Sequence, residues 1–354
     1  MKEKSKKTTE KCCQDRTLKK CFSVPRSGFC DEVASQNGCH KEKQDNSRCD
    51  QTIFQRPDFR SGFVSIIGKP NVGKSSLLNA LVGEKVSIVS PKSQTTRDKI
   101  LGLRTTDDYQ LVFIDTPGIH NYKQKLGQYM KKEVSAATVD VDAIVVVIDG
   151  SKKIDSQDID LIERYLKTTA EVFVVINKTD LGKFEKVYPL IEKLSHFTKG
   201  ERQVNQIIPI SCKTGLNVDV LLQHLIKILP TGAMYYPKDD ITDKPIKYLV
   251  GEIIREKALL FLQDEIPHGI GVYIGKFEEQ KTIVNIEADI ICEKDGHKQI
   301  IIGRDGDKLK QIGTSARQEI EKLVDSKVFL QLYVKVKENW RNKQNVMNDI
   351  GYIN

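Results

Sequence analysis

At 354 residues, 39% hydrophobic and 29% charged with a formal net charge of +8, the chain is long enough for two packed domains and a tail. No apolar run approaches the roughly 20 residues of a membrane-spanning helix; the best, "AIVVVI" at 143–148, reads as a core strand. The opening "MKEKSKKTTEK" lacks the apolar stretch of a secretory signal, so a cytoplasmic location is expected.

Residues 1–56 hold six of the eight cysteines, Cys12, Cys13, Cys21, Cys30, Cys39 and Cys49, and 13 Lys+Arg against 8 Asp+Glu. No C-x-x-C pair occurs, so the usual zinc spacing is missing, and a disulfide framework is not expected in a cytoplasmic protein. The segment reads as a basic, disordered tail.

From 57 to 230 short β-branched runs alternate with amphipathic stretches: "FVSII", "YQLVFID", "AIVVVID", "EVFVVIN" and "QIIPIS". The pattern predicts an open, mostly parallel α/β sheet with helices on both faces, whose ligands bind at the carboxyl ends of the strands. The first strand, "SGFVSII", runs into "GKPNVGKSS" at 68–76, and "SLLNALVG" continues as a helix. Gly68, Gly73, Lys74 and Ser75 satisfy G-x-x-x-x-G-K-[ST] in the context the motif requires. Backbone N–H groups at a helix N-terminus wrap phosphate oxygens, with Asn71, Val72 and Ser76 in the same cradle; Lys74 reaches the outer phosphates and Ser75 binds Mg²⁺.

The polar loop "SPKSQTTRD" at 90–98 is where a switch is expected, with Thr95 or Thr96 closing over Mg²⁺ and the γ-phosphate; what resemblance to GTPases implies at this position is Thr96. "YQLVFID" ends in Asp115 and continues "TPG", giving D-x-x-G. Asp115 is then a metal carboxylate and Gly118 a backbone donor to the γ-phosphate. "VVINKTD" places Asn177, Lys178 and Asp180 at the end of another core strand, and this N-K-x-D resembles the base-reading motif of Ras-like GTPases. Its aspartate accepts from guanine N1–H and N2–H₂, so the implied base is guanine. "ISCKTG" matches the fifth element of those GTPases, with Ser211, Cys212 and Lys213 where Ser-Ala-Lys is typical. Lys74, Thr96, Gly118 and Asn71 form the candidate catalytic set. Ile119 follows D-T-P-G where Ras-type enzymes place a water-orienting glutamine, so another group or ion must supply the missing charge stabilisation.

Residues 231–245, rich in Pro, Gly and Asp, read as a linker. Beyond it, "YLVGEIIREKALLFL" has helical period, and "TIVNIEADIIC" and "VFLQLYVKV" alternate as strands. Between them "KQIIIGRDGDKLKQIGTSARQEIEKL" reads as a short helix, a G-x-x-G turn and a longer helix, the pattern of a KH module. Gly303, Arg304, Asp305 and Gly306 form the turn over which RNA backbone is laid; Arg304, Lys308 and Lys310 are phosphate partners, and Ile301 and Ile302 offer an apolar base platform. Residues 241–354 carry 18 Lys+Arg against 18 Asp+Glu, so this reading rests on local placement and not on bulk charge.

Across residues 57–354 the chain resembles the Era family of bacterial ribosome-assembly GTPases. The resemblance rests on the motifs above and on stretches outside any generic GTPase motif: "YYPKDDITDKP", "REKALLFLQDEIPH" and "LYVKVKENWRNKQNVMNDIGY". It implies a Ras-like G domain over 57–230 joined to a type II KH domain over 246–354. It further implies hydrolysis of GTP to GDP, binding of the 3′ end of 16S rRNA when GTP is bound, and a role in 30S subunit assembly. A monomer, with occasional peripheral membrane association, is also implied. Potassium-activated GTPases similar to this one use an asparagine at the position of Asn71 to help hold K⁺ against the phosphates. Asp305 departs from the family, whose second loop residue is commonly neutral; its charge either lowers RNA affinity or turns outward. Two other readings stay open: an RNA-binding protein whose G domain only holds nucleotide, and a tRNA-directed GTPase of the same subfamily.

Overall fold

The computed structural model describes residues 58–352, except 93–94, 119–124, 182–183, 196–197, 200–201, 205 and 263–268. The expectations for the cysteine-bearing tail and for Ile119 lie outside the described residues.

The sheet that carries the first site follows from the runs of branched residues. Strands β1 (Arg60–Gly68), β2 (Ile100–Thr105), β3 (Tyr109–Asp115), β4 (Ala143–Asp149), β5 (Glu171–Asn177) and β8 (Gln206–Pro209) pair in the order β2-β3-β1-β4-β5-β8; only β2 runs antiparallel. All seven residues of β4 are buried, as expected of a central parallel strand covered on both faces. Helices α1 (Lys74–Val82) and α5 (Val218–Ile228) cover one face, with Leu77, Leu78, Leu81, Leu221 and Leu225 in the core. Helix α3 (Ser156–Tyr165) packs Leu161, Ile162 and Tyr165 on the other. Helices α2 (Lys125–Ala136) and α4 (Phe184–Ser195) and the two-residue strands β6 (Thr198–Lys199) and β7 (Arg202–Gln203) complete this lobe. Strand register pairs Ile66 with Asp115, Gly68 with Val147 and Asp149 with Asn177, which gathers four motif-bearing strand ends on one edge.

Residues 229–245 run back along the opposite end of this sheet as a strap. Gln110, buried at the start of β3, donates to the Tyr236 carbonyl (2.8 Å) and accepts from the Tyr235 and Tyr236 amides (2.7 and 3.0 Å). Ser61 donates to the Ala233 carbonyl (2.7 Å), and Tyr235 packs on Phe63 with ring centroids 4.8 Å apart.

The second lobe is built from α6 (Ile246–Phe261), β9 (Gly271–Glu279), β10 (Ile283–Cys292), α7 (Asp295–Ile302), α8 (Asp307–Val324) and β11 (Lys327–Val336), followed by α9 (Gln344–Ile350). Its sheet runs β11-β10-β9, with β10 parallel to β11 and antiparallel to β9. Every residue of α6 from Leu249 to Leu259 is buried, including Glu252, Arg255, Glu256 and Lys257. A helix enclosed on all sides has protein on both flanks. One face carries Val250, Ile254 and Ala258 into the second lobe's core; the charged face meets the first lobe. A further apolar cluster joins Leu126, Tyr129 and Met130 of α2 to Ile291, Trp340, Met347 and Tyr352. Fully burying side chains such as Leu126, Met130 and Met347 stabilises by about 1.5–3 kcal/mol each, so the lobes share one packed seam.

Candidate nucleotide and RNA sites

The loop between β1 and α1 has the backbone that the glycine spacing predicts. Gly73 has φ +101°, and a Cβ there would meet Asn177 Nδ2 at 2.2 Å. Asn71, also left-handed at φ 63°, donates from Nδ2 to the Pro91 carbonyl at 2.9 Å, tying this loop to residues 88–96. The Lys74 ammonium lies inside the loop and donates to the carbonyls of Gly68 (3.2 Å) and Lys69 (3.0 Å). Burial, opposed by the nearby Asp115 charge, brings its pKa down to about 8.

Ser75, Thr96 and Asp115, far apart in the chain, converge above that loop. Ser75 donates to Asp115 Oδ2 at 2.7 Å; its Oγ lies 2.8 Å from Thr96 Oγ1, which is itself 3.4 Å from Asp115 Oδ2. Asp115 is fully buried, and its Oδ1 has no hydrogen-bond partner among the described residues. Burial pushes the carboxyl above the usual range, against the pull of Lys74 and three hydroxyls. Two hydroxyls and a buried carboxylate with a spare oxygen form an all-oxygen donor set that fits Mg²⁺. Gly118 backs onto the same loop: a Cβ would meet Pro70 backbone atoms at 2.9 Å. The pocket enclosed by these groups has a volume of about 410 Å³, with Val89, Ser90 and Lys178 also in its wall.

The N-K-x-D loop is cross-braced to the rest. Asn177 donates to the Val72 carbonyl (2.9 Å) and accepts from the Cys212 amide (3.2 Å). Lys178 donates to the Asn71 carbonyl (2.6 Å) and to Asp149 (2.8 Å). The Asp180 carboxylate accepts from Ser211 Oγ at 2.8 Å. Burial pushes the Cys212 thiol up to about 12, so it stays protonated at neutral pH, and its backbone is what the loop uses. Lys213 is exposed beside it, and Ser76 is half-buried in the pocket wall.

Two contributors escaped the sequence reading. Ser87 donates to Asp115 Oδ2 at 3.0 Å and is itself held by Asn79, whose Oδ1 accepts its amide at 2.9 Å. Asp149, at the end of β4 between the phosphate loop and the base loop, anchors Lys178. The "VID" strand end was a visible signal for Asp149; nothing local in "VSIV" marks Ser87.

In the second lobe α7 ends at Gly303, which has φ +77°, and a Cβ there would strike Lys308 Cβ at 2.6 Å. Gly306, at φ +82°, has nothing within 4 Å of a Cβ position. Arg304 and Asp305 stand in solvent with side chains 96% and 90% exposed and their charges 3.8 Å apart. Beside the turn a groove of about 370 Å³ runs between α8 and β11, lined by Lys310, Gly313, Arg317, Leu330 and Leu332. One expected contact needs correcting: Ile301 is fully buried in the lobe's core and cannot serve as a base platform. The helical period turns Ile300 outward instead, at 51% exposed, while Ile302 is half-buried against the core. Lys308 is also half-buried and Lys310 is exposed.

A phosphate loop, a D-x-x-G carboxylate and an N-K-x-D loop meeting at the strand ends define a Ras-like GTP-binding domain, and the G-x-x-G turn on the mixed sheet defines a KH domain. Residues 63–178 match the 50S ribosome-binding GTPase family and residues 265–341 the KH domain family. The chain is 48% identical over 297 residues to GTPase Era of Clostridium botulinum strain Hall, covering 84% of this chain and 99% of that protein. It is 46% identical over 299 residues to GTPase Era of Alkaliphilus metalliredigens, covering 83% and 99%. A crystal structure of Era with MgGDPNP and nucleotides 1506–1542 of 16S ribosomal RNA matches with TM-score 0.79 at 38% identity, covering 84% of this chain and all of that one. A variant of Aquifex aeolicus Era bound to GDP·AlF4⁻ matches with the same score, identity and coverage. The chain belongs to the Era family of GTPases. Among the described residues no helix is long and apolar enough to cross a membrane.

Proposed function

We propose that this chain is a GTP-hydrolysing switch that binds the 3′ end of 16S rRNA through its KH domain and assists 30S subunit assembly. The observation that carries this reading is the convergence of Ser75, Thr96 and Asp115 above the phosphate loop of a chain that also presents an open G-x-x-G turn. In this reading Lys74 and the loop amides bind the phosphates, and Asp180 with the Cys212 backbone selects guanine. Ser75, Thr96 and Asp115 would hold Mg²⁺, which supplies positive charge at the phosphates. Thr96 and Gly118 orient toward the third phosphate, which GDP lacks. On the KH side, Gly306 leaves room for RNA backbone, Arg304 and Lys310 meet phosphates, and the Leu330–Leu332 edge of the groove lies under the bases.

The finer reading adds K⁺, with Asn71 as a ligand that supplies fixed positive charge where an arginine finger otherwise acts. The bond from Asn71 Nδ2 to Pro91 leaves its side-chain oxygen, Oδ1, for that role. One experiment tests both levels: GTP turnover by the full chain, with and without an oligonucleotide of the 16S rRNA 3′ end, in KCl and in NaCl at equal ionic strength. The expected result is stimulation by RNA and faster turnover in KCl. Nucleotide binding with no phosphate release in any arm would leave a holder of nucleotide and overturn the switch; equal rates in the two salts would remove K⁺ alone.

A further inference from the structure

Thr96 reaches into the nucleotide pocket from a loop that is tied to the first lobe through Ser87 and Pro91 and to the second lobe on both sides of Thr96. On α6, Glu252 and, one turn later, Arg255 and Glu256 lie on the side of the helix that meets the loop carrying Thr96. Glu256 accepts the Val89 amide at 2.8 Å and pairs with Lys85 at 2.7 Å. Arg255, 1% exposed, is held by Glu252 through Nε (2.8 Å) and Nη2 (2.5 Å), and the same Nη2 donates to the Thr95 carbonyl. On the far side of Thr96, buried Arg97 donates to the Ile270 carbonyl at 2.5 Å, with its guanidinium 5.7 Å from the Trp340 ring centre. Both neighbours of Thr96 are therefore anchored in the KH lobe.

The Thr95 carbonyl and the Thr96 N–H belong to one planar trans peptide and point in opposite directions. A guanidinium that holds the carbonyl on the α6 side turns the N–H to the other side, and Thr95 and Thr96 both line the nucleotide pocket. We infer that Arg255, a residue of the KH lobe, is a positioning residue for the GTPase site: clamped by Glu252, it fixes the peptide that presents Thr96. The inference rests on the reading of Thr96 as the residue that closes on Mg²⁺ and the third phosphate. GDP has no third phosphate to engage that peptide, so the effect falls on GTP and on turnover.

Arg255→Lys is the sharpest test, because one ammonium keeps the charge beside Glu252 but cannot reproduce the planar fork that spans Glu252 and the Thr95 carbonyl. In the full chain, turnover at saturating GTP and the preference for a non-hydrolysable GTP analogue over GDP are each expected to fall at least about tenfold, a coupling of the ordinary size between linked sites. GDP affinity is expected to stay within about twofold, a change too small to count as a lost contact. A merely structural role would instead lower the melting temperature and weaken GDP and GTP together. Should Arg255→Lys fold poorly, Glu252→Gln tests the same clamp with its volume kept; the same selective loss of GTP preference is expected. Wild-type turnover and wild-type GTP-to-GDP preference in a folded variant overturn the inference, as does parallel loss of both nucleotides. Failure of the wild-type chain itself to hydrolyse GTP would count against the site reading and not against this one.

Discussion

In the proposed reading a single carboxylate decides which base the pocket accepts. Asp180 is held toward the site by Ser211, and in the proposed reading it accepts two hydrogen bonds from guanine. Asp180→Asn places an amide donor where guanine offers donors. GTP affinity is expected to fall by roughly 3 kcal/mol, since hydrogen bonds to charged groups are worth about 1.5–3 kcal/mol each. Xanthosine triphosphate, which carries an acceptor in place of the amino group, is expected to bind the variant better than GTP. A direct titration with both nucleotides measures the swap, and unchanged GTP affinity would remove Asp180 from the base-reading role. At this scale the sequence was legible wherever function forces residue types into fixed spacing. Gly73 needs both its positive φ and the space taken by Asn177 Nδ2, so a motif reader finds it. Ser87 is not found that way, because its role depends on Asn79 bending the chain back on itself, a contact with no fixed sequence spacing.

The elements were legible by period, and the misreading of Ile301 shows how far that goes. "III" before the turn is one apolar run on paper. Wound at 3.6 residues per turn in α7, it becomes an exposed Ile300, a core Ile301 and a half-buried Ile302. The alternation of "VFLQLYVKV" translated directly, with Val328 and Val334 in the core and Phe329 and Tyr333 outside. The strap at 229–245 reads as a linker in composition, and only the structure shows Gln110 and Ser61 binding its backbone. The turn itself separates two glycines that the motif treats alike. Gly303 is pressed against Lys308, whereas the Cβ direction at Gly306 is open. Gly306→Asp therefore has room for its side chain, and places it and its charge on the proposed phosphate path. RNA affinity is expected to drop at least about tenfold, from lost backbone approach and added repulsion, with GDP affinity unchanged. Filter binding with the 3′-end oligonucleotide measures the first and nucleotide titration the second; retained RNA binding would move the path away from this turn.

At the scale of the whole molecule, a buried polar node ties the loop that carries Thr96 to the entry of the second lobe. Tyr129 on α2 donates to Asp98 Oδ1 at 2.9 Å, and Lys244 at the end of the strap pairs with Asp98 Oδ2 at 2.6 Å. Asp98 follows Arg97 by one residue and Thr96 by two, so the switch loop, α2 and the entry to α6 meet at one carboxylate. Burial, with Asp98 alongside, raises the Tyr129 hydroxyl well above its usual range, so it remains a donor at any physiological pH. Tyr129→Phe removes only that oxygen and leaves no cavity, yet strips a buried carboxylate of one partner at a cost of about 1–3 kcal/mol. If GTP and RNA favour the same arrangement of the lobes, each must raise the affinity of the other by one common factor, typically 5- to 150-fold. That factor is expected to exceed fivefold in the wild-type chain and to fall toward one in Tyr129→Phe, because the loosened loop no longer distinguishes the arrangements. The affinities of GDP and of RNA measured with GDP bound should barely move, since neither engages the Thr96 peptide. Titrating RNA at saturating GTP analogue and at saturating GDP, in both chains, yields the factor directly. A wild-type ratio of one would separate the two domains into independent binders, and an unchanged ratio in Tyr129→Phe would take the coupling off this node and leave it to the seam around Trp340 and Met347.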